Sequence, residues 1–68
     1  MTMPSAHIDA VVRLKEDLPT LGLRSGDHGV VVSVWLSPRG FSCEVEFPKS
    51  GAPPVRTLLS AEQLEVIQ

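Results

Sequence analysis

Residues 8–14, IDAVVRL, alternate Ile8, Ala10, Val12 and Leu14 with Asp9, Val11 and Arg13. A period of two belongs to a strand with one buried face, so this segment reads as the first strand. Residues 29–36, GVVVSVWL, are rich in β-branched side chains, with Val30, Val32 and Val34 alternating with Val31, Ser33 and Trp35. This second strand is apolar on both faces, and its even positions are expected to point inward. After the turn SPRG, residues 41–47 set Phe41, Cys43, Val45 and Phe47 against Ser42, Glu44 and Glu46, the cleanest alternation in the chain. All four apolar positions are expected in the core.

Prolines and glycines punctuate the rest. PKSGAPP, residues 48–54, cannot be a central strand because its prolines lack ladder donors, so it reads as a stiff exposed hairpin tip. VRTLL, residues 55–59, resumes the sheet. SAEQ, residues 60–63, has the S-x-x-Q spacing of a capping box, which leaves room for one 3₁₀ turn before a last short strand in LEVI. The connection between the first two strands, about fourteen residues, exceeds the common hairpin loops and needs tethering. Leu18, Leu21 and Leu23 are the expected tethers. Pro19 pre-sets a turn, Gly22 and Gly26 supply positive φ, and Gly29 marks a bulge or a close backbone approach.

Five short strands without a long helix predict an all-β fold: a five-stranded SH3-like small barrel with a long first loop and a single 3₁₀ turn before the last strand. Residues 1–6 are expected to form a flexible tail and residues 7–68 the barrel domain. At 68 residues the chain lies near the lower limit for a self-sufficient core, so each buried side chain counts or a partner helps. The 43% hydrophobic content excludes a disordered chain. A net charge of -2 without a basic block makes nucleic acid and anionic membranes poor default partners. Cys43 is the single cysteine, which leaves no internal disulfide or CxxC pair and fits a reducing cytoplasm. No signal peptide pattern and no run of about 18 apolar residues is present. The Met start and the end at Gln68 are those expected of a complete short reading frame.

Taken together, VVRLKEDLPTLGLRSGDHGVVVSV, CEVEF and TLLSAEQLEVI resemble a family of short bacterial stand-alone proteins of uncharacterised function. Its pattern runs roughly V-x-L-x-x-D-L-P-x-x-G-L-x-x-G-x-x-G-x-V-V, then V-E-F, then L-x-x-x-Q-L, and the match covers residues 11–67. The resemblance implies the small barrel and a binding role as an accessory protein. It carries no catalytic residues. Within it, GDHGVVVSV is similar to the G-x-x-G-x-V segment of KOW-type barrels, which any barrel with a glycine turn before a strand can produce.

No catalytic constellation emerges, and neither a cofactor nor a small-molecule substrate is inferred. Cys43 sits among inward positions, where a free cysteine is an inert small hydrophobe. His7 and His28 lack the clustered ligands of a metal site. Asp17 and Asp27 read as turn residues whose side chains bond nearby backbone amides. A proline-rich peptide would need a groove of several Tyr and Trp, whereas the chain has one Trp and no Tyr.

The surplus apolar surface is the more informative feature. With the even positions of the second strand inside, Val31 and Trp35 point outward, sharing that parity with Val11 and Ile67, and Leu36 at the end of the strand is counted with the same patch. Such a patch predicts a non-enzymatic protein-interaction module, binding a second copy of itself or a neighbouring gene product. The bland alternative is that Trp35 covers an open end of the barrel. A second function class is a weak RNA-binding module that gathers Arg24, His28 and Arg39 at loop tips, with Lys49 and Arg56 nearby. Catalysis would enter only if the chain completed an active site on another protein.

Overall fold

The structure, a computed structural model, describes residues 7–67. The five strands are β1 (Val11–Leu14), β2 (His28–Ser37), β3 (Gly40–Lys49), β4 (Ala52–Ser60) and β5 (Leu64–Val66). All pair antiparallel in one sheet of order β4-β3-β2-β1-β5. The all-β, five-stranded fold forms as expected, but the sheet does not close: β4 and β5 are its two edges and do not pair. The sheet nevertheless curls around one core, to which every strand contributes: Ala10, Val12 and Leu14 beside and within β1, Val31, the trio Cys43, Val45 and Phe47, then Leu59 and Leu64. A single sheet can bury such a cluster only by wrapping its one apolar face around it. The expected tail, residues 1–6, lies outside the described residues.

Turn chemistry explains much of the path. At Ser60 the capping box forms as the S-x-x-Q spacing predicts, with the Ser60 N–H donating to Gln63 Oε1 at 2.9 Å. The resulting 3₁₀ turn, Ala61–Gln63, touches β3 and carries the chain from one edge of the sheet to the other. A second 3₁₀ turn, Pro19–Leu21, lies in the first loop, where a single turn elsewhere had been expected. Pro19 suits its first position because the missing N–H would have no helical partner there.

The proline-rich stretch is more regular than the sequence suggests. β3 and β4 run on to Lys49 and Ala52, leaving Ser50 and Gly51 as the whole turn. β4 tolerates Pro53 and Pro54 because it is an edge strand and because both lie in a register irregularity, where they oppose Pro48 between the pairs Phe47 with Val55 and Lys49 with Ala52. β1 is shorter than expected: Ile8 is exposed, and Asp9, with φ 73°, turns the chain away before Ala10.

A second irregularity resets the faces of β2. The register slips between Val31 and Ser33, so Val32 is an extra residue without its own opposite number. Before the slip the odd position faces the core and Val31 is fully buried; after it the even position Val34 does. The uniform alternation read from the sequence therefore placed Val30 and Val31 on the wrong faces. Gly29 is where β2 crosses β3 most closely: a Cβ there would lie 2.7 Å from Val45 Cγ1 and 2.9 Å from the Glu46 carbonyl oxygen. Glycine at this position is a requirement of packing, not of torsion.

Candidate protein-interaction site

The first loop, residues 15–27, carries the three leucines expected to tether it to the core. Leu18 and Leu23 exchange two backbone hydrogen bonds of 2.9 and 3.1 Å, pinching the loop at its neck. Asp17 Oδ1 accepts from the Ser25 N–H and Asp27 Oδ2 from the Arg24 N–H, each at 2.9 Å. Gly22 and Gly26 take φ of 70° and 97°, and the Lys49 ammonium donates to the Gly22 carbonyl. Leu23 is buried, Leu18 is half-buried against the core, and Leu21, expected as a third tether, is exposed. The D-L-P-x-x-G-L-x-x-G spacing thus builds a latch: carboxylates satisfy amides, glycines make the corners, and one leucine plugs the core.

Apolar surface gathers instead at the outer end of the β2 and β3 hairpin. Trp35, Leu36 and Phe41 are 58%, 77% and 51% exposed. Leu36 pairs with Phe41 and Trp35 with Ser42, next to the turn made by Pro38 and Arg39. Phe41 keeps the face predicted for it, the same as Cys43, but the core ends at Cys43 and leaves Phe41 beyond it. On the opposite face of the sheet Leu58 of β4 is 57% exposed, one strand beyond Glu44. Alternation could flag Phe41 and Leu58 as apolar, but not as uncovered.

The patch expected from the sequence does not hold together. Val31 belongs to the core and Val30 takes its place outside, opposite Val11. Val11, Val30 and Ile67 form a separate apolar group near β5, with Ile67 donating its N–H to the Val11 carbonyl at 2.8 Å. Trp35 lies five residues farther along β2 than Val30, roughly 16 Å at about 3.3 Å per residue. Beside them, on β3 and β4, Arg56 bonds Glu46 Oε1 at 2.7 Å and approaches Glu44 at 4.0 Å, with Glu46 directly opposite Val30. Glu46, by hydrogen bond and then by charge, holds the Arg56 guanidinium even more firmly protonated than usual. Distance parts the two groups, a charged strip flanks them, and the hairpin end exposes large apolar side chains on both faces, Leu36 and Phe41 on one and Trp35 on the other.

The basic residues are also dispersed. Arg24 lies in the first loop and His28 at the start of β2, whereas Arg39 is in the turn beyond its far end, separated from them by a ten-residue strand, roughly 30 Å. They do not form one surface, and Lys49 and Arg56 are engaged with Gly22 and Glu46. Cys43 is fully buried, and burial pushes its thiol above the ordinary range, which suppresses the nucleophilic thiolate. Among the described residues no group of three or more His, Cys, Asp or Glu side chains is placed to hold a metal ion. No described helix is long and apolar enough to cross a membrane.

Comparison with known proteins adds a family and no activity. No curated protein and no solved structure matches the chain significantly. A family model matches residues 9–66, a span that takes in the latch loop, the hairpin and the capping box. The chain belongs to the family described as Domain of unknown function (DUF4926).

Proposed function

We propose that this protein is a non-catalytic protein-interaction module whose binding surface is the outer end of the β2 and β3 hairpin. The observation that carries the reading is the exposure of Trp35, Leu36 and Phe41, each more than half in solvent, at one end of the hairpin, with Leu36 and Phe41 on the core-side face and Trp35 on the other. Large apolar side chains, tryptophan above all, are the groups that interfaces desolvate for most gain. The side chains stand on a regular ladder, so they are held in place before a partner arrives and little ordering entropy opposes binding. The partner is a protein, either a second copy or an accessory-complex neighbour. The curl of the sheet around one core supports assigning the domain to the SH3-like small barrels, with β4 and β5 as the unjoined seam. The buried free thiol of Cys43 supports a reducing, cytoplasmic setting.

Trp35→Ala tests the surface. Assembly, followed by sedimentation equilibrium, or capture of a bound protein should weaken by roughly 30-fold or more, the effect of losing a central tryptophan worth about 2 kcal/mol. The thermal midpoint should stay nearly unchanged, because the side chain lies outside the core. Unchanged assembly and unchanged capture would overturn the proposal.

A further inference from the structure

We propose that two copies of this chain pair through the outward edge of β2 at residues 33–37, extending the sheet antiparallel across a two-fold axis at Trp35. The inference rests on the hairpin end being the binding surface and names both occupant and geometry. β1 covers β2 only as far as Val31, which donates its N–H to the Ala10 carbonyl at 2.9 Å and accepts from the Asp9 N–H at 2.8 Å. Beyond Val31, the only described strand paired with β2 is β3. The two-residue turn at Pro38 and Arg39 closes on the pair Ser37 and Gly40. In the alternation of an antiparallel ladder, Trp35 and Ser37 then spend their backbone bonds on β3, while the N–H and C=O of Val34 and Leu36 point outward.

This edge lacks the protection found on the other two. β4 carries Pro53, Pro54 and Arg56, and β5 is three residues long with Glu65 paired to Arg13. Residues 33–37, Ser-Val-Trp-Leu-Ser, hold no charge and no proline, and their register on β3 is regular. A two-fold axis sets this stripe antiparallel against its own copy, so an uncharged stripe is complementary to itself where one carrying like charges would repel. Centring the axis on Trp35 lets Val34 of each copy exchange both backbone bonds with Leu36 of the other. The two Trp35 side chains then meet in a non-hydrogen-bonded pair, the closest side-chain approach a ladder offers.

Variants at Leu36 and Trp35 test this pairing: those at Leu36 are compared with the wild-type chain by light scattering and Trp35 fluorescence across a dilution series, and those at Trp35, which remove the only tryptophan, by light scattering. The wild type should be a dimer whose dissociation shifts the tryptophan emission to the red. Leu36→Pro removes one outward amide while leaving the Ser37 and Gly40 closure, and should abolish the dimer; Leu36→Ser keeps the amide and should retain it. Circular dichroism establishes whether the proline variant folds. Trp35→Cys does not depend on that result: under mild oxidation the introduced thiols should join two copies across the axis, because facing Cα atoms in such a pair stand about 4.5 Å apart, within disulfide reach. A dimer that survives Leu36→Pro and forms no crosslink, yet weakens with Trp35→Ala, would overturn the edge pairing and leave the interaction surface standing. A wild-type chain that stays monomeric at millimolar concentration would also overturn it. A dimer indifferent to all these changes would overturn the surface as well.

Discussion

Residues 15–27 and the outer end of the β2 and β3 hairpin carry comparable amounts of apolar side chain and treat it in opposite ways. The loop has no regular structure beyond the 3₁₀ turn Pro19–Leu21, yet it is wired by Asp17, Asp27, Lys49 and the Leu18 and Leu23 exchange, and it drives Leu23 into the core. The hairpin is a regular ladder, yet Trp35, Leu36 and Phe41 are left in solvent. Regularity and burial are separate achievements. A ladder satisfies its own backbone groups and needs no core to hold its shape, whereas an irregular loop must find a partner for each amide and pin itself with apolar contacts. Exposed oil on the regular element is therefore a surplus that stability does not explain, which is why function is sought there.

The largest expected break in this contrast comes from trading side chains. Leu23→Ala should cost about 2–5 kcal/mol, the usual range for emptying a buried leucine site, and in so small a domain that is enough to unfold much of the population. Leu36→Ser, equally polarising on paper, should stay within about 0.5 kcal/mol in the dissociated chain. Urea unfolding of the two variants at equal dilution measures the difference, and similar losses would erase the distinction between the regions. A middle-sized effect is expected from Asp17→Ala, which strips the Ser25 amide of its acceptor and should cost about 0.5–2 kcal/mol, with faster hydrogen exchange at that amide than anywhere in the hairpin ladder.

The smallest effect is a control outside both regions. The Arg13 hydrogen bond, then the Arg13 charge, hold the Glu65 carboxyl below its ordinary range. A depressed carboxyl contributes stability that is fully present above its unfolded pKa, about 4.3, and is lost as pH falls through the lower folded value. Both side chains are about half exposed, so the loss should be slight and should shrink further in salt. Acid titration of the Leu23→Ala and Leu36→Ser chains should move both midpoints by the same small amount. A change confined to one of them would tie Glu65 to that region.

Features with local causes were legible in the chain before any fold was known. Asp17, Pro19, Gly22 and Gly26 could be read as a folded-back loop because carboxylate-to-amide bonds and left-handed torsions depend on a few neighbouring residues, and Ser60 with Gln63 for the same reason. The odd positions from Cys43 to Phe47 declared a buried face through simple alternation. Tertiary structure decided what alternation cannot carry: one unmatched residue at Val32 exchanged the roles of Val30 and Val31, and the extent of the core left Phe41 outside although its parity was right. It also kept β4 and β5 apart, dispersed Arg24, His28 and Arg39, and parted Val11 and Ile67 from Trp35. Parity is a property of one strand, but register and coverage belong to the whole sheet, so the location of the exposed surface had to wait for the fold.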